Sequence, residues 1–202
     1  MVKPEELMQY ENALREQGYR YICGIDEVGR GPLAGPVTCC AIIMDLDNLI
    51  VGVNDSKKVS KNKREKLYDE IMTNAISVSV VSYSPEKIDE MNILEATKAC
   101  MKDAIMSLSV KPDIVLIDAV KLDLPYKTCS IIHGDALSYS IAAASIVAKV
   151  TRDRYMKDMA QRYPEYDFEN NMGYGTAKHI AALKEYGATP IHRKTFIGNF
   201  VK

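Results

Sequence analysis

Residues 24–37 read GIDEVGRGPLAGPV: an apolar run ends in two adjacent acids, Asp26 and Glu27, and opens at once onto a glycine-rich loop. Charge is costly to bury unless it is paired or bound to a metal, so acids placed where a core strand meets a turn need a reason. The flanks, YRYICGID at 19–26 and PVTCCAIIM at 36–44, are short apolar runs rich in β-formers and read as two strands joined by a turn. Gly29, Gly31 and Ala34 also satisfy a loose G-x-G-x-x-A dinucleotide fingerprint. That fingerprint needs a helix directly after the turn, to present its N-terminus to a pyrophosphate, whereas Gly35-Pro36 leads into a β-like run.

Outward from this pair, the chain alternates helices and strands. Residues 4–18 open with Pro4 and close on Gly18, with Leu7, Tyr10 and Leu14 spaced for one helical face; 60–75 reads as a charged helix and 76–83 alternates like a strand. After a short SPEK connection, 93–109 is helical, DIVLIDA (113–119) is a buried strand and KTCSII (127–132) a further one. A long helix runs from Ser138 to about Arg162, and a loop containing tyrosine and proline leads to a last helix near TAKHIAALKEYG (176–187). The succession predicts an α/β fold: a mixed β-sheet flanked by helices, with a helical C-terminal part at about 163–202 packed on a single domain of 1–202.

Composition narrows the function. With 202 residues, 47% of them hydrophobic, the chain is long enough for one core, and a formal charge of −1 excludes a uniformly basic surface. An anionic partner needs a local basic patch. The five cysteines form no C-x-x-C pair and sit mostly in apolar runs, as reduced thiols of a cytoplasmic protein do. No apolar stretch approaches the roughly 20 residues that span a bilayer, so no membrane role is expected.

Three predicted strand ends carry acids: Asp26 closes the first strand, Asp118 closes DIVLID, and Asp135 follows KTCSII at a His-Gly-Asp turn. Neighbouring strand ends in an open α/β sheet converge on one crevice, so Asp26, Glu27, Asp118 and Asp135 form a candidate acidic cluster. Taken singly, each reads equally well as a helix cap or a solvated strand end. Together they repel unless cations sit among them, and oxygen-only ligands select hard ions such as Mg²⁺ or Mn²⁺. Two such ions, about 4 Å apart, suit phosphodiester hydrolysis. Adjacent strand residues point to opposite faces, so Asp26 and Glu27 share a metal only if the strand ends or bulges there, a distortion that Gly29 and Gly31 would permit.

Six blocks in order, GIDEVGRGPLAGPV, DSKKVS, LIDAVKLDLP, HGDALSYSIAAASIVAKVTRDRYM, GYGTAKH and HRKTF, resemble the signature segments of bacterial ribonuclease HII from about Tyr21 almost to the C-terminus. The resemblance implies a ribonuclease H-like fold, with Asp26, Glu27, Asp118 and Asp135 on that family's metal-binding acids. It also implies cleavage of the RNA strand of RNA–DNA hybrids, and cleavage 5′ of single ribonucleotides in duplex DNA, leaving 5′-phosphate and 3′-hydroxyl ends. Primer removal and ribonucleotide excision repair are the corresponding roles. The sister family, ribonuclease HIII, differs where Arg30 stands.

The substrate contacts follow partly from chemistry. Glycines at 29 and 31 let main-chain groups approach a 2′-hydroxyl in the wide minor groove, and Arg30 meets the adjacent phosphate, as the resemblance also implies. In the related enzymes the tyrosine matching Tyr174 lies against the sugar just past the ribonucleotide. Residues 55–66, DSKKVSKNKREK, carry six basic residues against two acids. Lys61, Lys63 and Lys66 read as a solvated helix face, whereas Ser56, Lys57 and Lys58 resemble the family's phosphate contacts, and Arg193 and Lys194 extend the track. His179 and His192 read as hydrogen-bonding or phosphate-contacting residues, without the spacing of a metal site. Asp153 falls roughly 22 Å along the long helix from Ser138, too far to share the metals, and is expected to pair with a neighbouring arginine. His133 and Met172 depart from the family pattern, which has lysine at both positions; His133 would make the enzyme more pH-sensitive, while the sequence offers no account of Met172. A resolvase- or integrase-like nuclease and a non-catalytic hybrid-binding protein are the competing classes, the first giving no reason for Gly29-Arg30-Gly31 or Tyr174 and the second none for intact acids. A monomer is expected.

Overall fold

The structure, a computed structural model, describes residues 3–118 and 120–201. After a 3₁₀ turn at Pro4–Leu7 come α1 (Gln9–Glu16), β1 (Ile22–Val28), β2 (Val37–Met44), α2 (Lys61–Asn74), β3 (Ala75–Tyr83), α3 (Pro85–Met91), α4 (Ile93–Met106), β4 (Ile114–Asp118), β5 (Lys127–Ile131), α5 (Gly134–Leu137), α6 (Tyr139–Arg162), α7 (Phe168–Asn171), α8 (Ala177–Tyr186) and α9 (Lys194–Ile197). The strands make one five-stranded sheet in the order β3-β2-β1-β4-β5. Its first three strands are antiparallel neighbours, while β4 and β5 run parallel to β1, so the sheet is mixed.

The two-residue period of β2 divides the core. Cys40, Ile42 and Met44 pack with Ala143 and Val147 of α6 and with Leu67 and Ile71 of α2, whereas Cys39, Ala41 and Ile43 pack with Ala96, Cys100 and Met101 of α4. β2 is buried along its whole length, which is why its sequence is a continuous apolar run rather than an alternating one. Small residues on α6 let it lie close on the sheet. At Gly24 the approach is tightest: a Cβ there would sit 2.5 Å from the Ile141 nitrogen. The start of α6 is also held from α1, where buried Glu11 accepts from Ser138 Oγ (2.6 Å) and the Ser140 N–H (2.9 Å). Burial pushes the Glu11 carboxyl above the usual range in spite of those bonds.

Three local expectations change. The first helix is split at Met8 into a 3₁₀ turn and α1, with Leu7 and Leu14 still buried. The SPEK connection begins a helix, α3: Ser84 caps it, and Asn92, at φ 68°, ends it while its side chain caps α4. The first strand also runs past Asp26 to Val28. Beyond α6, a third cluster joins Met156 and Met159 to Tyr166, Phe168, Leu183 and Ile191, with Ala34 of the glycine loop inserted into it. Among the described residues, no helix is long and apolar enough to cross a membrane, and the five cysteines are unbridged.

Candidate active site

Parallel pairing of β1 with β4 matches Ile25 to Ile117, so Asp118, the last residue of β4, stands beside Asp26. The β1–β2 ladder is regular through Val28, with Asp26 opposite Cys40 and Glu27 opposite Cys39. The expected bulge is absent from this ladder: Asp26 lies on the α6 face, and Glu27 on the α4 face. Asp135 enters from the turn after β5, where His133 takes a left-handed conformation at φ 60° and the Gly134 N–H donates to Asp118 Oδ1 at 3.1 Å. Gly134 packs close to α6 there: a Cβ would meet the tip of the Ile141 side chain at 2.6 Å.

The four acids share one electrostatic field. Burial raises the Asp26 carboxyl well above the usual range, and the negative charges of Glu27, Asp135 and Asp118 raise it further. Glu27 is also raised, first by burial, with Arg30 opposing at 3.5 Å. Lys57 reaches in from the 55–58 turn, its Nζ 3.0 Å from Asp135 Oδ2, and the hydrogen bond raises the lysine's own pKa. Two of the acids are therefore held by cations and a third by a backbone N–H. Among the described residues, no three His, Cys, Asp or Glu side chains converge as a ready-made ion cage. The donor set, all carboxylate and under mutual repulsion, is nevertheless one that hard divalent cations fit.

Beside the acids, the loop after β1 is open at Arg30 and Gly31, both exposed. The half-exposed ring of Tyr174 stands next to Gly31: a Cβ on Gly31 would lie 3.6 Å from it. The two segments are joined by the Leu33 N–H, which donates to the Gly173 carbonyl (2.8 Å). Lys58 is exposed, while Ser56 is buried with its N–H donating to Ser145 Oγ (3.3 Å), and the turn that carries both is fastened by Arg64, which donates to the carbonyls of Ser56 and Val59.

Arg193 does not lie where the basic-track reading puts it, and His179 is the hydrogen-bonding residue of its two readings, not a phosphate contact. Both are fully buried. Arg193 donates to the carbonyls of Gly29, Arg30 and Gly35, so its guanidinium is turned to the back of the loop instead of toward a phosphate. The imidazole of His179 meets that of His192, Nε2 to Nε2, at 2.9 Å. The Thr189 N–H donates to His192 Nδ1 (2.9 Å), which leaves the proton of His192 on Nε2, donating to His179, whose Nδ1–H in turn donates to the Tyr174 carbonyl (2.9 Å). Burial holds both rings neutral, His192 down to about 4. Asp153 pairs with Lys149 (2.7 Å) and not with an arginine. Its neighbour Arg152, which sequence reasoning passed over, is buried and donates to Ala34, Pro36 and Met172. A signal existed: Arg152 falls on the helical face of Ser145, Ala148 and Met156, where an apolar residue is the norm. Met172 is explained by the same packing, being left-handed at φ 51°, with its side chain against the third cluster and its carbonyl held by Arg152.

Comparison with known proteins supplies the context. The family model described as ribonuclease HII matches residues 23–199. A ribonuclease HII of Bacillus cereus (strain ZK / E33L) is 56% identical over 191 residues, 95% of this chain and 74% of that one. The crystal structure of ribonuclease H2 from Pyrococcus horikoshii OT3 superposes with a TM-score of 0.76 at 29% identity, covering 87% of this chain and 93% of that one. That of Bst-RNase HIII in complex with Mn²⁺ gives 0.66 at 16%, covering 82% and 61%, a likeness of fold. The mixed sheet is thus ribonuclease H-like, and with matches that span nearly all of its length the chain belongs to the ribonuclease HII family, nucleases with ribonuclease H activity on RNA–DNA hybrids.

Proposed function

We propose that residues 1–202 act as one catalytic domain that hydrolyses the RNA strand of hybrids and cuts 5′ of a single ribonucleotide in duplex DNA, leaving 5′-phosphate and 3′-hydroxyl ends. In a cell this would serve primer removal and ribonucleotide excision repair. The observation that carries the reading is the negative field of Glu27, Asp135 and Asp118 on Asp26 at one end of the sheet, beside a loop exposed at Arg30 and Gly31. Asp26, Glu27, Asp118 and Asp135 would hold two Mg²⁺ or Mn²⁺ ions, with Asp26 and Glu27 serving different ions because they leave opposite faces of an unbulged strand. When bound, such ions supply a Lewis acid that makes water nucleophilic at neutral pH and steadies the leaving oxygen.

The chain's own residues do the rest. Arg30 and Lys57, now beside Glu27 and Asp135, are within reach of an incoming phosphate and would exchange partners as ions and duplex arrive. Lys58 and the 55–58 turn continue the backbone contact. Exposed Gly31 admits the main chain to the 2′-hydroxyl, and the Tyr174 ring opposite packs on the next sugar, where a second 2′-hydroxyl would clash. The protein would work as a monomer.

One assay tests this: a duplex with a single ribonucleotide, incubated with Mg²⁺, Mn²⁺ or chelator, beside an all-DNA control. Cleavage 5′ of the ribonucleotide, only with metal, is expected; cutting of the control to the same extent would favour a general nuclease, and binding without cutting a hybrid-binding protein. Asp118→Asn should stop cleavage while the protein stays folded by circular dichroism.

A further inference from the structure

Arg152 and Arg193 are among the largest side chains wholly inside the molecule, at 1% and 0% exposure. Among the described residues neither makes an ion pair, although burying an uncompensated cation is among the costliest arrangements a fold can hold. Their N–H groups go instead to main-chain carbonyls: Arg152 to Ala34, Pro36 and Met172 at 2.9–3.0 Å, and Arg193 to Gly29, Arg30 and Gly35. Five of these six acceptors lie in residues 29–36, the segment between β1 and β2. The sixth immediately precedes Gly173 and Tyr174.

The backbone is shaped to receive them. Gly29 and Gly35 have φ of +96° and +85°; a Cβ on Gly29 would meet the Arg152 guanidinium and lie 2.6 Å from the Pro36 oxygen, and one on Gly35 would lie 2.5 Å from Met156 Sδ. A loop that turns its carbonyls inward lacks strand partners for them, and two planar forks provide these partners from behind. As a result, Arg30 and Gly31 are pushed outward and the Gly31 edge is set opposite the Tyr174 ring.

We propose that Arg152 and Arg193 are positioning residues for substrate recognition, a buried pair of cations that fixes the spacing between the 29–31 loop and Tyr174 and so sets the preference for a lone ribonucleotide. The inference rests on the proposed substrate contacts of that loop and ring. A lysine is the discriminating replacement, since it keeps the charge but gathers its donors at a single point and cannot bridge three diverging carbonyls.

The test compares the parent with Arg193→Lys, Arg152→Lys and Gly29→Ala on a duplex with one ribonucleotide and on one with a run of ribonucleotides. Thermal melting in the presence and absence of Mn²⁺ monitors the fold and the ion site. For each folded variant, KM for the single-ribonucleotide duplex should rise about tenfold or more while kcat changes by less than about threefold, and the preference between the two duplexes should shrink. Parent-like KM and preference in the folded variants would overturn the proposal, as would a fall in kcat at unchanged KM, which marks a general loss of structure. If a lysine variant does not fold, Gly29→Ala, which disturbs the same contact from the loop side, decides. A parent that leaves the single ribonucleotide uncut would bring down the functional reading itself, separately from these outcomes.

Discussion

Asp26 feels the charges of the other three acids, and its protonation balance is a stability statement. Its carboxyl is raised by burial and by like charge, so the folded state is favoured by the protonated form. That contribution is complete below the unfolded carboxylate range near 3.8 and is lost as pH rises through the folded value. Asp26→Asn mimics the neutral form. It should therefore raise the melting temperature of the metal-free protein at pH 7.5, by an increment that shrinks toward pH 4, while kcat falls at least about a hundredfold. Mn²⁺ should restore the lost stability to the parent but not to the variant, because only the parent gains by binding. Equal melting curves at pH 7.5 without metal would remove the crowding argument. The His179–His192 pair has the opposite sign. Both rings are kept neutral by burial, so acid costs stability between the unfolded value near 6.5 and about 4, while the raised carboxylates stabilise over part of the same window. The difference between the parent and His192→Asn isolates the pair: the variant should be weaker by about 1–3 kcal/mol in urea at pH 7.5, and this gap should narrow at pH 5.

At the level of elements, α6 on β1 is the contact that sets the distance of Asp26 from Asp135. Gly24→Ala would drive a methyl group into the Ser140–Ile141 backbone, which cannot yield as a side-chain tip can. We expect a loss of about 3 kcal/mol or more in denaturant unfolding, with reduced cleavage because Asp26 lies two residues along. Strand and helix order was legible because the length and residue types of the apolar runs carry it, as in the short β-forming run of β2 and the long small-residue run of α6. The end of β1 was not. The rule that charge avoids core strands placed the boundary at Asp26, yet the ladder continues because Glu27 and Val28 still find partners on β2. α3 was missed because its seven residues are too few for a periodic signal. Arg193 was misplaced for another reason: a basic residue near a nucleic-acid site reads as a phosphate contact, and only three-dimensional packing reveals that its donors face carbonyls. The gathering of the acids at one end of the sheet was legible because neighbouring strand ends of an open α/β sheet converge.

For the whole molecule, a formal charge of −1 means that attraction to a polyanion must come from a few placed cations rather than from the surface at large. Binding to an uncut duplex, measured in chelator, should accordingly show a log–log salt slope of about −2 to −3, and Lys57→Met should reduce its magnitude by about one. An unchanged slope in that variant would remove Lys57 from the interface. The 3.0 Å bridge from Lys57 to Asp135 has a wider consequence. A single ammonium cannot neutralise a carboxylate and a phosphodiester at once, so in the proposed site a cation taking Asp135 would free Lys57 for a phosphate, and a phosphate taking Lys57 would free Asp135 for a cation. By thermodynamic reciprocity, duplex must then tighten cation uptake by the same factor as cation tightens duplex, and the protein would act as a coincidence detector that is fully armed only when both are present.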